Sequence, residues 1–151
     1  MRYELPNVED TRALGRALAG RLRAGDLVVL SGPLGAGKTA LTQGIGEGLG
    51  VTGRVTSPTY VIARVHRGPL PLVHVDAYRL GSALELDDLD LDSDLSESVT
   101  VVEWGDGLVE GLAQSRLSVV LHRGAEEETR VASLEGHGPR WSDVDLGGLL
   151  G

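Results

Sequence analysis

The sequence contains no cysteine and no phenylalanine, and aromatic residues make up only 3% of its 151 residues. Without cysteine the chain has no disulfide, no thiolate metal site and no cysteine nucleophile. No apolar run approaches the roughly 18 residues of a membrane-spanning helix, and the beginning of the chain, MRYELPNVED, lacks an apolar signal segment. We therefore expect a cytoplasmic protein that does not cross a membrane.

Lysine and asparagine each occur once, as Lys38 and Asn7. Guanine recognition through the motif N-K-x-D needs an asparagine next to a lysine, so this sequence excludes that kind of GTPase. The net charge is −8 at pH 7, which argues against a surface that binds nucleic acid directly, because neutralising phosphates requires clustered cations. Any nucleic acid is therefore expected to be held by a partner protein.

The length fits a single domain over residues 1–151. Apolar periodicity predicts an amphipathic helix that stops at Gly25, and Gly/Pro-bounded apolar runs predict buried strands. The predicted strands and helices are a strand at 26–31, a helix from about 38 to 49, strands ending near Asp76 and Glu103, and an antiparallel pair at 116–123 and 129–136. Residues 136–151 are weakly determined by the sequence.

The alternation of strands and helices predicts an α/β fold with a mostly parallel central sheet and an antiparallel C-terminal strand pair. Helices are expected on both faces, which gives three layers. In such sheets the ligand site lies at the carboxyl ends of the strands. Lys38, Asp76 and Glu103 each follow or end a predicted strand there, so all three are candidate site residues.

Residues 32–39, GPLGAGKT, match the phosphate-binding motif G-x-x-x-x-G-K-[ST]. The motif follows a predicted strand and opens a predicted helix, which is the context of the P-loop NTPase fold. Its glycines allow backbone N–H groups to surround phosphate oxygens at a helix N-terminus. Lys38 would reach the β- and γ-phosphates, and Thr39 offers a hydroxyl ligand to Mg²⁺.

Two acidic residues at predicted strand ends, Asp76 and Glu103, could complete such a site. One would hold Mg²⁺, directly or through water, and one would orient an attacking water; the spacing leaves open which does which. Between them and the motif lies the segment Ser57-Pro58-Thr59-Tyr60. It is either a loop that senses the γ-phosphate through Thr59 or a proline turn that enters a strand.

Two further features have less specific interpretations. His74 alternates with valines in a predicted strand, which favours a hydrogen-bonded core or edge histidine over a metal ligand. The acidic run at 85–97 lacks the ligand order of a calcium loop. It is either a solvated surface or a surface to which a partner docks.

Taken together, GPLGAGKT, TSPTY, HVDAYRL and VVEW, in this order, resemble the TsaE (YjeE) family of small bacterial ATPases. The resemblance extends over about residues 8 to 135. It implies an ATPase required for the threonylcarbamoyl modification of the adenosine beside the anticodon of tRNAs. It also implies two partners, homologues of TsaB and TsaD; TsaD would carry out the transfer and handle the tRNA.

The resemblance further implies roles for individual residues. Thr39 and Glu103 would bind Mg²⁺, and Asp76 would assist ATP hydrolysis, which is expected to be slow without the partners. The positions that correspond to nucleotide contacts in the family are Thr11, Leu34, Gly35, Ala36, Gly37, Lys38, Thr39, Trp104 and Arg130.

Two alternative functions remain open at this point. A small-molecule kinase would need an arginine-bearing lid and an acceptor pocket; Arg64, Arg67 and Arg79 could serve, but no lid insertion is visible. An ATP-sensing adaptor would control a partner through its bound state without turnover. Acidic residues at two strand ends favour hydrolysis over sensing alone.

Overall fold

The computed structural model describes residues 1–32, 37–51, 63–76, 97–103, 115–124 and 129–149. These residues contain two α-helices and seven strands that belong to one sheet. In chain order the elements are β1 (Arg2–Leu5), α1 (Val8–Ala19), β2 (Leu27–Ser31), α2 (Lys38–Leu49), β3 (Ala63–His66), β4 (Leu72–Asp76), β5 (Val99–Glu103), β6 (Arg116–Arg123), β7 (Arg130–His137) and a 3-10 helix (Pro139–Trp141).

The sheet has the strand order β1-β7-β6-β2-β5-β4-β3. The four central strands, β6, β2, β5 and β4, run parallel to one another. The strands outside them pair antiparallel, β7 with β6, β1 with β7 and β3 with β4. The predicted α/β fold, with its mostly parallel centre and antiparallel C-terminal pair, is therefore confirmed. Every residue of β5 is buried, as expected for a parallel strand that is covered on both faces.

Helix α1 ends earlier than the sequence predicts. The side chain of Asn7 caps it by accepting a hydrogen bond from the backbone N–H of Asp10 at 3.0 Å. The predicted stop at Gly25 is wrong, because the helix ends at Ala19 and Gly20 follows as its C-terminal cap. Glycine is a poor helix former, and the chain leaves the helix at the first one after Ala19. Gly25 instead adopts a φ of 90° in the turn before β2.

Helices α1 and α2 pack so closely that glycine is required at their contact. A Cβ atom added to Gly15 would lie 2.3 Å from the carbonyl oxygen of Leu41. One added to Gly44 would lie 2.1 Å from the carbonyl oxygen of Arg12. Gly48 repeats this close approach one turn further along α2. The glycines therefore set the distance between the two helices.

The first strand and the C-terminal residues pack against each other. The sequence indicated no strand at 2–5, yet β1 pairs with β7 along its whole length. The hydroxyl of Tyr3 donates to the carbonyl oxygen of Leu146. Trp141 is only 4% exposed and packs against Gly136, where an added Cβ would lie 2.6 Å from the Cβ of Trp141. The described residues after β7 are thus part of the packed structure.

Arg140 joins this C-terminal segment to the turn before β2. Its Nε and Nη2 donate to the two carboxylate oxygens of Asp26 at 2.9 and 3.0 Å. Its Nη2 also donates to the carbonyl oxygen of Arg21 at 2.7 Å. The guanidinium lies 4.4 Å from the centre of the Trp141 ring, within range of a cation–π interaction. Asp26 is buried, so this bidentate pair largely excludes water.

Candidate phosphate and magnesium site

The glycine-rich motif connects the end of β2 to the start of α2. Gly37 is the N-cap residue of α2 with a φ of 101°, a left-handed conformation that favours glycine. Gly32 has a φ of 150°, and a Cβ there would lie 2.5 Å from the carbonyl oxygen of Leu121 on β6. Gly32 and Gly37 thus both occupy positions that favour glycine. Positions 33–36 lie outside the described residues, so contacts of Leu34, Gly35 and Ala36 stay predictions.

Lys38 is the first residue of α2 and is 7% exposed. Its Nζ donates to the carbonyl oxygen of Gly32 at 2.7 Å. The side chain therefore turns back across the connection toward the end of β2. This places a positive charge at a helix N-terminus, where backbone N–H groups already favour an anion.

Two threonines lie close to Lys38. Thr39 is half-buried in the first turn of α2, where its hydroxyl is one of the predicted Mg²⁺ ligands. Thr42, one turn further, is fully buried and its Oγ1 donates to the carbonyl oxygen of Lys38 at 2.9 Å. This bond fixes the backbone that carries the lysine. Ligation of a metal by Thr39 stays a prediction.

Thr11 reaches the motif from α1. It is almost fully buried, and a Cβ on Gly37 would lie 3.6 Å from its Cγ2 and 4.0 Å from its Oγ1. The close packing of the two helices therefore brings this predicted contact residue next to the cap of α2. Its interaction with a nucleotide stays a prediction.

The two acidic residues lie side by side at the carboxyl end of the sheet. In the parallel register Leu30 of β2 pairs with Glu103 of β5, and Glu103 pairs with Asp76 of β4. Because β5 is the strand next to β2, Glu103 is closer in the sheet to the start of the motif than Asp76 is. For Asp76 only this backbone position is described. The register therefore brings together two of the predicted site positions, residues 76 and 103, beside the end of the strand that leads into the motif.

Glu103 has an unusual environment for a carboxylate. It is 4% exposed, and its Oε1 lies 3.4 Å from the Nε2 of His74, which is fully buried. Within the described part of the chain, neither this oxygen nor either ring nitrogen of His74 makes a hydrogen bond. The prediction that His74 is a core residue is confirmed. The prediction that its ring is hydrogen-bonded is not met among the described residues. An uncompensated buried carboxylate is costly, so this position suits a nearby cation.

The remaining predicted residues are Arg130, which lies on β7, and three residues outside the described ranges. Arg130 begins β7 and pairs with Arg123 at the end of β6, the strand that Gly32 contacts. It is half-buried, and its Nη1 donates to the carbonyl oxygen of Thr129 at 3.0 Å. Ser57, Thr59 and Trp104 lie outside the described residues, so their predicted roles are untested.

His74 is the residue that the sequence interpretation assigned to the core alone. The signal that could have indicated more was its spacing, two residues before Asp76 on the same strand. Residues at i and i+2 of a strand share a face. A histidine in that position can therefore reach the row of side chains at the strand ends.

The described residues contain no group of three His, Asp or Glu side chains arranged to hold a metal ion. Nor does any helix among them have the length and apolar character needed to cross a membrane.

The parallel strands, the glycine-rich connection and the acidic residues at the neighbouring strand ends define a mixed α/β protein whose candidate site lies at the carboxyl end of the sheet. The model of the family "Threonylcarbamoyl adenosine biosynthesis protein TsaE" matches residues 5–132. The chain belongs to the TsaE family.

Individual relatives agree with this assignment. A Streptomyces coelicolor protein named tRNA threonylcarbamoyladenosine biosynthesis protein TsaE is 59% identical in a match that covers 93% of this chain and 99% of that protein. A Bacillus subtilis protein of the same name is 39% identical, and the match covers 87% of this chain and 83% of that protein. Among solved structures, the crystal structure of Bacillus subtilis YdiB matches with a TM-score of 0.74 and 34% identity, over 92% of this chain and 86% of that one.

Proposed function

We propose that this protein is a cytoplasmic, Mg²⁺-dependent ATPase that supports the threonylcarbamoyl modification of the adenosine next to the anticodon in tRNA. The observation that carries the proposal is that a buried lysine begins α2, directly after the motif glycine Gly37, while a buried glutamate ends β5, the strand that pairs with β2. The names of the Streptomyces coelicolor and Bacillus subtilis relatives support the pathway. The motif and the strand-end acids support the ATPase.

The phosphate part of the mechanism relies on α2. Lys38 and the backbone N–H groups at the helix N-terminus bind the β- and γ-phosphates of ATP. The hydrogen bond from Nζ to Gly32 holds the ammonium group at the connection before ATP arrives. Such preorganised charge stabilises the negative charge on the transferred phosphoryl group without further reorganisation.

The magnesium part relies on Thr39 and Glu103. The carboxylate of Glu103 is only 4% exposed, and a buried carboxylate fits a bound cation that compensates its charge. Mg²⁺ usually keeps several waters and takes one or two protein carboxylates plus substrate phosphates, which agrees with a site of few protein ligands. When bound, the ion neutralises charge on the β- and γ-phosphate oxygens. Asp76, beside Glu103 in the register, orients the attacking water.

The proposed partners are homologues of TsaB and TsaD, with tRNA bound through the complex. The net charge of −8 supports this division, since a strongly acidic chain repels a polyanion. ATP hydrolysis would be slow in the isolated protein and faster in the complex. Its role would be to allow repeated rounds of modification.

The test is steady-state ATP hydrolysis by the protein alone and with its TsaB and TsaD homologues, in the presence of tRNA. Lys38→Ala should reduce turnover by at least about 100-fold, because it removes a charge that stabilises the transition state. Arg2→Ala, at an exposed position of β1, is the matched control. Hydrolysis at the normal rate in Lys38→Ala would refute the site.

Glu103→Gln tests the metal separately. It should weaken the Mg²⁺ dependence of ATP binding by about 10-fold or more, because a neutral amide is a poorer ligand for a hard cation. The control is Glu135→Gln, the same change at a largely exposed side chain on β7. An unchanged magnesium titration in Glu103→Gln would contradict the assignment. A stoichiometric increase in turnover on adding a metabolite acceptor would instead support a kinase.

A further inference from the structure

The buried contact between His74 of β4 and Glu103 of β5 has no role in the function proposed so far. His74 of β4 is fully buried, and its Nε2 lies 3.4 Å from Oε1 of Glu103. In the described part of the chain, Nδ1 and Nε2 of His74 and Oε1 of Glu103 all lack a hydrogen bond in the strict sense. The 3.4 Å contact thus joins two of these three atoms.

The sheet register explains why these two side chains meet. His74 pairs with Val101 in the parallel ladder between β4 and β5, and Glu103 follows Val101 by two residues. Alternate residues of a strand point to the same face, so His74 and Glu103 share a face and touch along a diagonal. The contact is therefore built into the pairing of the two strands.

Packing alone does not account for a histidine at this position. The other side chains of β4 with described burial are Leu72, Val73 and Val75, all apolar and fully buried. A buried polar atom without a partner destabilises the folded state, so an apolar side chain would serve a purely structural role better. A carboxylate can only accept hydrogen bonds, whereas an imidazole that carries its proton on Nε2 can donate one.

We propose that His74 is a positioning residue: its Nε2–H donates to Oε1 of Glu103 and holds the carboxylate so that its other oxygen is left for the metal. This rests on the proposed function, in which Glu103 is a Mg²⁺ ligand. Hydrogen bonds to the far side of ligating groups orient them, and their loss typically weakens metal affinity about 10- to 100-fold. His74 itself touches neither metal nor nucleotide.

The first test uses the wild-type protein without metal or nucleotide. Long-range ¹H–¹⁵N correlation spectra of the histidine rings identify which nitrogen carries the proton. We expect the Nε2–H form for His74, and we expect its Nε2 signal to shift in Glu103→Gln. A proton on Nδ1, or a His74 signal that is unaffected by Glu103→Gln, overturns the proposal. This readout does not depend on the ATPase activity.

The second test measures Mn²⁺ affinity by electron paramagnetic resonance, with a non-hydrolysable ATP analogue bound. His74→Leu, which fills the space but cannot donate, should bind Mn²⁺ about 10- to 100-fold more weakly. His74→Gln places an amide N–H near the position of Nε2 and should restore most of the affinity. His66→Leu, at the far end of the β3–β4 pair from Asp76, is the control and should bind normally.

The outcomes separate the two proposals. Equal Mn²⁺ affinity in His74→Leu and the wild type overturns the positioning role alone. Wild-type Mn²⁺ affinity that is no higher than that of Lys38→Ala and Glu103→Gln overturns the proposed function. If His74→Leu does not fold, as judged by circular dichroism, the wild-type histidine spectra and the Mn²⁺ affinity of His74→Gln still test the positioning role of His74.

Discussion

Substituting Gly44 by alanine tests whether the close contact between α1 and α2 requires glycine at this position. The added Cβ would lie 2.1 Å from the carbonyl oxygen of Arg12, whereas ordinary contacts begin at 3.4 Å. The two helices must therefore separate by about 1.3 Å, the difference between these distances. The obstacle is backbone, so no side-chain rotation can relieve it.

Two opposing terms set the expected magnitude. Alanine is the better helix former by about 1 kcal/mol. Overpacking of a tight contact typically destabilises by about 1–3 kcal/mol, and a clash with backbone belongs at or above the upper end of that range. We expect the free energy of unfolding to fall by about 2 kcal/mol. For a chain of this size that lowers Tm by about 4–8 °C.

The assay is urea and thermal denaturation of Gly44→Ala beside Gly20→Ala. Gly20 has a φ of −67°, and its added Cβ would meet only the carbonyl oxygen of Ala17, at 3.4 Å. Alanine at position 20 should therefore stabilise the protein slightly, by about 0.5–1 kcal/mol. Opposite signs for the two variants are the expected result. A Gly44→Ala protein as stable as the wild type would refute the reasoning.

The remaining predictions concern ion pairs away from the candidate site. Arg140→Leu leaves the buried Asp26 without its bidentate partner and should lower the free energy of unfolding by about 3 kcal/mol; a double-mutant cycle with Asp26→Asn that shows no coupling would contradict this. The hydrogen bond from Arg16 lowers the pKa of Glu9. The ionised Glu9 carboxylate therefore stabilises the fold above the pKa that Glu9 has in the unfolded chain, and this stabilisation is lost as pH falls through the pKa of Glu9 in the folded protein. The stability difference between wild type and Glu9→Gln should therefore shrink on acidification below about pH 4, and urea denaturation at pH 7 and pH 3 checks it.

The parts of the fold that could be predicted are those with a local signal. Helix α2 spans the expected residues because the glycine-rich motif determines where it begins and Gly50 determines where it ends. The strands ending at Asp76 and Glu103 were recognised because central parallel strands form continuous apolar runs that stop at a polar residue. The same strand ends supplied the candidate acids, and the register now shows that they are neighbours.

The parts that could not be predicted depend on contacts distant in the chain. Strand β1 has only Leu5 buried among its four residues, so no alternation marks it; it is a strand because β7 lies beside it. Glycine is required at positions 15 and 44 because α1 and α2 approach each other closely there. No local sequence pattern predicts this approach. His74 lies next to Glu103 only because β4 pairs with β5, and these strands are more than 20 residues apart in the chain.

The burial of Lys38 also restricts the covalent chemistry of this chain. Because these 151 residues contain no other lysine, acetylation, ubiquitin attachment or cross-linking at an ε-amino group can occur only at the phosphate motif. There Nζ is hydrogen-bonded and the side chain is almost inaccessible. General acylating reagents should leave this position unmodified in the folded protein. Under the proposed function, a reagent that carries a reactive acyl group on a nucleotide phosphate should acylate Lys38, and peptide mapping would then show one modified lysine.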